Sequence, residues 1–285
     1  MKITKAVVTA AGRNQRALPL QTLIDRDGKQ KSVLGIILGE AIQAGIKDIC
    51  IVVSPGDEAA YRTAAGEEEG RIQFVAQQEP RGYGHAIWSA RDFVGDEPFL
   101  HMVGDHVYMG DSTGSCAKQV IEVAEAEACA VSGVKATREN LLPYYGALGG
   151  SRVKGLRDLY AVERVREKPT PTEAEQTLLV PGLRTGHYLC LFGIHALTPA
   201  VMEILGERVA QSSSQMVGLT PALDALAGRE KYLALETKGQ RYPVDVPYGL
   251  FTAQLALALS GKDRAEVLST VCEMLAQRDL GSINA

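Results

Sequence analysis

Lys5 to Thr9 (KAVVT) is a short β-branched run, and Ala10-Ala11-Gly12 breaks it. The combination predicts a buried strand leaving a sheet into a loop, with loop-like sequence continuing to about Lys31. From Ser32 the apolar positions recur at helical spacing through Ala44, with Ser32 as cap and Gly45 where a glycine commonly ends a helix. Asp48–Val53 reads as a second strand, closed by Ser54-Pro55-Gly56, and Asp57–Ala65 as a helix. Arg71–Ala76, His85–Phe93 and Pro98–Val103 then read as strand, helix and strand. This alternation predicts an α/β fold, a Rossmann-like and mostly parallel sheet flanked by helices on both faces. In such sheets ligands bind in the crevice at the carboxyl ends of the strands.

The alternation changes after Asp105. A helix at Ser115–Glu127 and a strand at Ala130–Lys135 are followed by strands at Tyr145–Gly150 and Leu156–Val165. Gly149-Gly150 and Gly155 interrupt these two, which predicts a small antiparallel insertion. Pro169–Glu175 enters a short helix, Arg184–Ile194 is a strand, and helices open at Pro199 and Pro221. Tyr232–Glu236 is the last strand, and Tyr248–Ala258 and Arg264–Arg278 are terminal helices. The apolar stripe of the last helix (Val267, Leu268, Val271, Met274, Leu275) could face the core or a second subunit, and is read as facing the core. No repeat or linker divides the chain, so residues 1–285 are expected to form one domain.

Composition narrows the function classes. Apolar residues make up 46% of the 285 residues, enough for a core that needs no staple. The net charge of −4 argues against nucleic acid as a partner. The richest apolar stretch, Tyr188–Leu205, is broken by Gly193, His195, Pro199 and Glu203, so no bilayer span is expected. The opening MKITKAVVTAAGR is too short in its apolar part for a signal peptide. Five scattered cysteines form no CxxC, and five histidines form no HExxH. A cytoplasmic protein with reduced thiols and without a zinc site is the expectation.

Five segments could carry chemistry. Ala10-Ala11-Gly12-Arg13-Asn14-Gln15-Arg16 follows the first strand, where glycine and successive N–H groups can cradle an anion and two arginines add charge. It could equally be a tight turn with solvated arginines. Gln77 to Ala86 (QQEPRGYGHA) places a glutamine amide, able to pair with a base edge, ahead of Gly82 and Gly84, which permit close contact. A glycine-rich helix start is the plainer reading. Asp105 ends the fourth strand and is of the type that binds Mg²⁺, or merely ties down its loop. Glu167-Lys168-Pro169 and Tyr242-Pro243-Val244-Asp245 offer a phosphate-binding lysine, a carboxylate for sugar hydroxyls and a second metal ligand. Taken singly, each is also an ordinary solvated charge.

The order of these segments resembles the sugar-1-phosphate nucleotidylyltransferases, in particular their bacterial UTP–glucose-1-phosphate uridylyltransferase branch, over nearly the whole chain. The family's AAGxGTR loop is matched by Ala10-Ala11-Gly12 and Arg16, and its Q-x4-G-L-G-H-A segment by Gln77, Gly82, Gly84, His85 and Ala86. Its strand-end aspartate is matched by Asp105, its Tyr-Gly pair by Tyr145-Gly146, and its E-K-P by Glu167-Lys168-Pro169. Two positions depart from it: Asn14 and Gln15 replace a glycine and a threonine, and the family's Pro-Lys pair has Pro19-Leu20-Gln21 as its counterpart, with Arg13, Arg26, Lys29 and Lys31 nearby.

The resemblance implies a glycosyltransferase-A-like fold with a nucleotide-binding half (about 1–135), a sugar-binding half (about 136–250) and C-terminal helices (about 251–285). It implies that an NTP, UTP first, reacts with a sugar 1-phosphate, glucose 1-phosphate first, to give an NDP-sugar and pyrophosphate. Ala10, Ala11, Gly12, Arg13, Gln77, Gly82 and Gly84 would bind the nucleotide, and Tyr145, Gly146 and Glu167 the sugar. Arg16, Asp105, Lys168 and Asp245 would serve catalysis, with Asp105 and Asp245 holding Mg²⁺. A sugar phosphate is mostly ionised at neutral pH, its second pKa being about 6, so no protein base is needed. Two other classes are weighed: a catalytically degenerate nucleotide-sugar-binding regulator, and a nucleotide-dependent oxidoreductase. The second would show GxGxxG and an acid closing the second strand, whereas Val53-Ser54-Pro55 stands there.

Overall fold

A computed structural model describes the chain except for residues 13–15, 112–113, 212–214 and 283–285. The elements run β1 (Lys5–Thr9), β2 (Thr22–Ile24), β3 (Gln30–Ser32), α1 (Val33–Gln43), β4 (Asp48–Val53), α2 (Glu58–Ala65), β5 (Ile72–Ala76), α3 (Tyr83–Ser89), α4 (Arg91–Val94), β6 (Phe99–Val103), β7 (His106–Gly110) and α5 (Cys116–Glu127). They continue as β8 (Ala130–Arg138), β9 (Ala147–Arg152), β10 (Leu159–Arg166), α6 (Pro171–Thr177), β11 (His187–Leu197), α7 (Ala200–Gln211), α8 (Leu219–Ala227), β12 (Tyr232–Glu236), β13 (Gly239–Pro243), α9 (Gly249–Ser260) and α10 (Arg264–Ser282).

One nine-stranded sheet has the order β5-β4-β1-β6-β11-β8-β12-β10-β9. The strands from β5 to β6 lie parallel, each reached through a helix, as the apolar alternation predicts. Beyond β6 the sheet is mixed: β11 runs against both β6 and β8, β8 and β12 are parallel, and β10 runs against β12 and β9. The expected antiparallel insertion is therefore an extension of the same sheet. A further pairing of β9 with β11 (Leu189 opposite Leu148, Cys190 opposite Ala147) closes five strands into a ring of pairings. Within β11, the register against β8 shifts between Leu191 and His195, around Gly193, which has φ +87°. Apolar side chains from α1, α2 and α5 fill one face of the sheet, and those from α3, α7 and α8 the other.

Ser32 caps α1 as expected, its hydroxyl accepting the Gly35 N–H at 2.8 Å. Four readings are corrected. The segment before Lys31 is not all loop. It holds the β2–β3 hairpin, in whose strands only Leu23 is buried, too short for a period to show. The helix expected over His85–Phe93 breaks at Ala90 into α3 and α4. The ribbon of β7 and β13, joining residues 106–110 to 239–243, was not anticipated. The last helix does not face the core: no residue of α10 from 264 to 277 is buried, and Leu268, Met274 and Leu275 are 47%, 63% and 60% exposed. It rests on α9, and its apolar stripe reports a face without saying what covers it. No helix among the described residues is long and apolar enough to cross a membrane.

Candidate functional site

A cleft of about 740 Å³ opens at the carboxyl ends of β1, β5 and β6, where a parallel sheet leaves its crevice. Its walls include Thr9 at the end of β1, Ala11 and Gly12 from the first loop, Gln77 after β5, Gly82 and Tyr83 at the start of α3, Asp105 and His106 after β6, and Glu167 and Lys168 after β10. Pro80, Val103, Tyr144 and Met216 complete its apolar surface.

Two glycines make this convergence possible. Gly104 lets the end of β6 lie over β1: its N–H donates to the Thr9 carbonyl at 2.9 Å, and a Cβ would stand 2.7 Å from that oxygen. Asp105 is thereby delivered to the cleft. Gly82 has φ +102°, and a Cβ on it would stand 2.8 Å from the Val217 carbonyl oxygen.

On the nucleotide side, Gln77 is buried and its amide is committed. Nε2 donates to the Gly82 carbonyl at 3.1 Å and contacts His85 Nδ1 at 3.0 Å. Both of its N–H groups are engaged, so Oε1 is the atom it can offer a ligand. Burial, followed by the charge of Arg81, holds His85 below the usual histidine range, so the ring is neutral, and Nδ1 accepts because the Gln77 Nε2 facing it can only donate. The first loop is clamped by Tyr61, fully buried, whose single hydroxyl proton is shared between the carbonyls of Ala10 (3.2 Å) and Arg16 (3.0 Å).

Arg16 itself does not line the cleft. Its guanidinium is paired two-pronged with Asp57 at the start of α2, Nε to Oδ2 at 2.6 Å, and the pair raises the arginine pKa and lowers the carboxyl's. Arg13, with Asn14 and Gln15, lies outside the described residues. Ala10 and Gly84 stand behind the wall: a Cβ on Gly84 would meet the Gly218 carbonyl at 2.8 Å, so that glycine serves helix packing. The residues near the altered Pro-Lys position, Lys29 included, do not line the cleft. Gln21 donates to the Ala17 carbonyl, Lys31 pairs with Asp25 at 3.0 Å, and Arg26 reaches Met109 Sδ. Among the described residues, Lys168 is the one lysine or arginine on the cleft wall.

Asp105 Oδ1 faces His106 Nδ1 at 2.6 Å. Asp245 is exposed and does not line the cleft; the structure brings its neighbour's backbone to Asp105, the Val244 N–H donating to the Asp105 carbonyl at 2.8 Å. No cluster of three or more His, Cys, Asp or Glu side chains among the described residues could hold an ion. Two carboxylates nevertheless suit Mg²⁺, which takes one or two from the protein and fills its remaining positions with water and substrate phosphate.

On the sugar side, Glu167 Oε2 accepts the Thr220 hydroxyl at 2.5 Å and lies close to Gly146, where a Cβ would stand 3.2 Å from it. Lys168 holds φ +45°, a left-handed conformation costly for a residue with a side chain. Tyr145 is turned away from the cleft, beneath the Arg241 guanidinium, and its exposed neighbour Tyr144 lines the wall instead. Sequence reasoning did not single out Tyr61, His106, Tyr144, Thr220 or Met216. Only His106, next to Asp105, carried a local signal.

A buried polar row underlies the wall. His101 Nδ1 lies 3.0 Å from the Val7 carbonyl, so it carries the proton, and Nε2 accepts from the Tyr83 hydroxyl. The ring stacks on His195, centroids 5.8 Å apart, and His195 Nδ1 continues through the Ser132 hydroxyl to that of Tyr232. Burial brings the two imidazoles down to about 4 and about 3 respectively.

The chain is similar to proteins named UTP–glucose-1-phosphate uridylyltransferase. That of Bacillus subtilis (strain 168) is 27% identical over 98% of this chain and 99% of its own length, and that of Streptococcus pyogenes 31% identical over 90% of each. Among solved structures, UDP-glucose pyrophosphorylase from Acinetobacter baumannii superposes with a TM-score of 0.74 at 21% identity, covering 95% of this chain and 99% of that one. A UDP-glucose pyrophosphorylase complexed with UDP-glucose gives 0.73 at 22% identity, covering 89% and 98%. The profile of the nucleotidyl transferase family matches residues 5–285, so nearly every element described above lies inside it, and the chain belongs to that family.

Proposed function

We propose that the protein joins UTP and glucose 1-phosphate to UDP-glucose, releasing pyrophosphate. The observation that carries this reading is one cleft with Gln77 on one wall, Asp105 on the next, and Glu167 and Lys168 on the third. With both amide protons of Gln77 engaged, its free oxygen accepts a hydrogen bond. Uracil and thymine present a ring N–H to such an acceptor, whereas cytosine presents a lone pair there. The similarity to named uridylyltransferases supports the same base and sugar.

A phosphate oxygen of the sugar 1-phosphate forms the new bond to the α-phosphorus of UTP, and the bond to the β-phosphate bridging oxygen breaks with pyrophosphate leaving in line. The chain's work in this reaction is positioning and charge stabilisation. Lys168 supplies a fixed positive charge for the incoming phosphate, and Glu167, braced by Thr220, accepts from sugar hydroxyls. Asp105 and Asp245 would hold Mg²⁺, which neutralises phosphate charge when bound. Arg16 meets the departing pyrophosphate after leaving Asp57. We read the 285 residues as one domain, since β6 of the first half pairs with β11 of the second.

The test is pyrophosphate release with UTP, dTTP, CTP or ATP against glucose 1-phosphate, with and without Mg²⁺. Release is expected with UTP and dTTP, not with CTP, and only with the metal. Tight calorimetric binding of UDP-glucose without release from any nucleotide would replace this reading with a non-catalytic sensor. The engagement of Arg16 by Asp57 is the observation that favours that alternative.

A further inference from the structure

Arg241 lies outside the cleft, yet the contacts around it join the two walls. It sits on β13 opposite Tyr108 of β7, four residues before Asp245. Its guanidinium carbon is 3.9 Å from the centre of the Tyr145 ring and 5.6 Å from that of Phe192. One arm donates to the Leu191 carbonyl. Among the described residues, no carboxylate lies within ion-pair distance of it.

An arginine left without an acid in a largely buried position is costly unless its planar faces and its donors are both occupied. Here two aromatic faces and a backbone carbonyl occupy them. The same Leu191 donates its N–H to the Gly146 carbonyl at 2.8 Å, and Gly146 packs against Glu167 and Thr220. In the other direction, β13 continues to Val244, whose N–H holds the Asp105 carbonyl. A continuous path therefore runs from the backbone of Asp105 through Arg241 to the wall carrying Glu167.

We propose that Arg241 is a positioning residue that fixes the Tyr145–Gly146 segment and the Glu167 wall relative to Asp105 and Asp245. It sets the fit of the sugar phosphate and leaves nucleotide binding alone, because no contact on this path reaches Gln77 or Gly82. The kinetic part rests on the function proposed above, but the structural part does not.

The test compares Arg241→Met, Arg241→Lys and Tyr145→Leu with the wild type in two measurements. Initial rates should show KM for glucose 1-phosphate raised about tenfold in Arg241→Met, with KM for UTP within about twofold, since the lost cation–aromatic contact serves one side only. Arg241→Lys keeps the charge without the planar stack and should fall between, and Tyr145→Leu should reproduce the split. Amide exchange of the free protein should quicken at Tyr145, Gly146 and Leu191 in Arg241→Met while β1, β4 and β5 keep their protection. Equal rises in both KM values, or quickened exchange throughout the sheet, would overturn the proposal. If the wild type makes no product, the function reading fails, and exchange alone decides the role of Arg241: unchanged protection at those three amides would refute it.

Discussion

The stacked pair His101 and His195 makes a stability prediction that the structure quantifies. Both rings are buried and neutral, with pKa values brought down to about 4 and about 3 from 6.5. Their neighbours are Tyr83, Ser132, Tyr232 and a backbone carbonyl, none of which compensates a second proton. In the unfolded chain both titrate near 6.5, so below that pH the unfolded state takes up protons that the folded state refuses. The contribution is complete above 6.5 and is lost as pH falls toward 4 and 3. Each imidazole costs about 1.4 kcal/mol per pH unit, so at pH 5 the pair has removed about 4 kcal/mol. That is a large share of the roughly 5–15 kcal/mol typical of a folded domain. Urea unfolding at about pH 7 and about pH 5 measures it, and His195→Asn should halve the slope. Stability that stays level over this range, or a slope that His195→Asn leaves intact, would refute the reasoning. Protonating His101 Nε2 also removes the acceptor of the Tyr83 hydroxyl, so the cleft wall should loosen along with the fold.

Three further outcomes are expected. Gln77→Glu loses both amide donors to the Gly82 carbonyl and His85, and should raise KM for UTP about tenfold or more, read from pyrophosphate release at saturating glucose 1-phosphate. Asp57→Ala frees Arg16 and should hold or increase turnover, read from pyrophosphate release; a fall as large as that of Arg16→Ala would mean that the pair works as a unit holding the loop. Thr220→Val removes the hydroxyl that braces Glu167 and should raise KM for glucose 1-phosphate about fivefold while leaving KM for UTP unchanged, measured in the same assay.

The first half of the fold was legible because its forces are local and periodic. β4 and β12 were read with the bounds they have, and α1 was found together with its serine cap, because a buried parallel strand and an amphipathic helix each write their burial into the apolar pattern. The β7–β13 ribbon was not legible. Its ten residues come from segments more than a hundred positions apart, and pairing at that separation leaves no period in either. The exposed face of α10 was misread for a related reason: a stripe of apolar residues states that a face exists, while its cover depends on the rest of the molecule.

The site divides along the same line. Gln77, Gly82, Asp105, Glu167 and Lys168 were singled out because each sits at the end of a readable strand or the start of a helix, and the sheet delivers such positions to one crevice. Arg16 was singled out on the same ground and lies with Asp57 instead, a partner 41 positions away that no local pattern marks. Thr220, Tyr61 and Arg241 act on other residues of the site, and a residue that works by bracing another leaves its trace only in the contact. Among the described residues, the cleft wall accordingly carries one cation, Lys168. If the proposed reaction holds, the Arg16 charge that meets pyrophosphate is not pre-placed. It must be released from Asp57 when the nucleotide arrives, which makes the Arg16–Asp57 pair a step in binding as well as a feature of the resting protein.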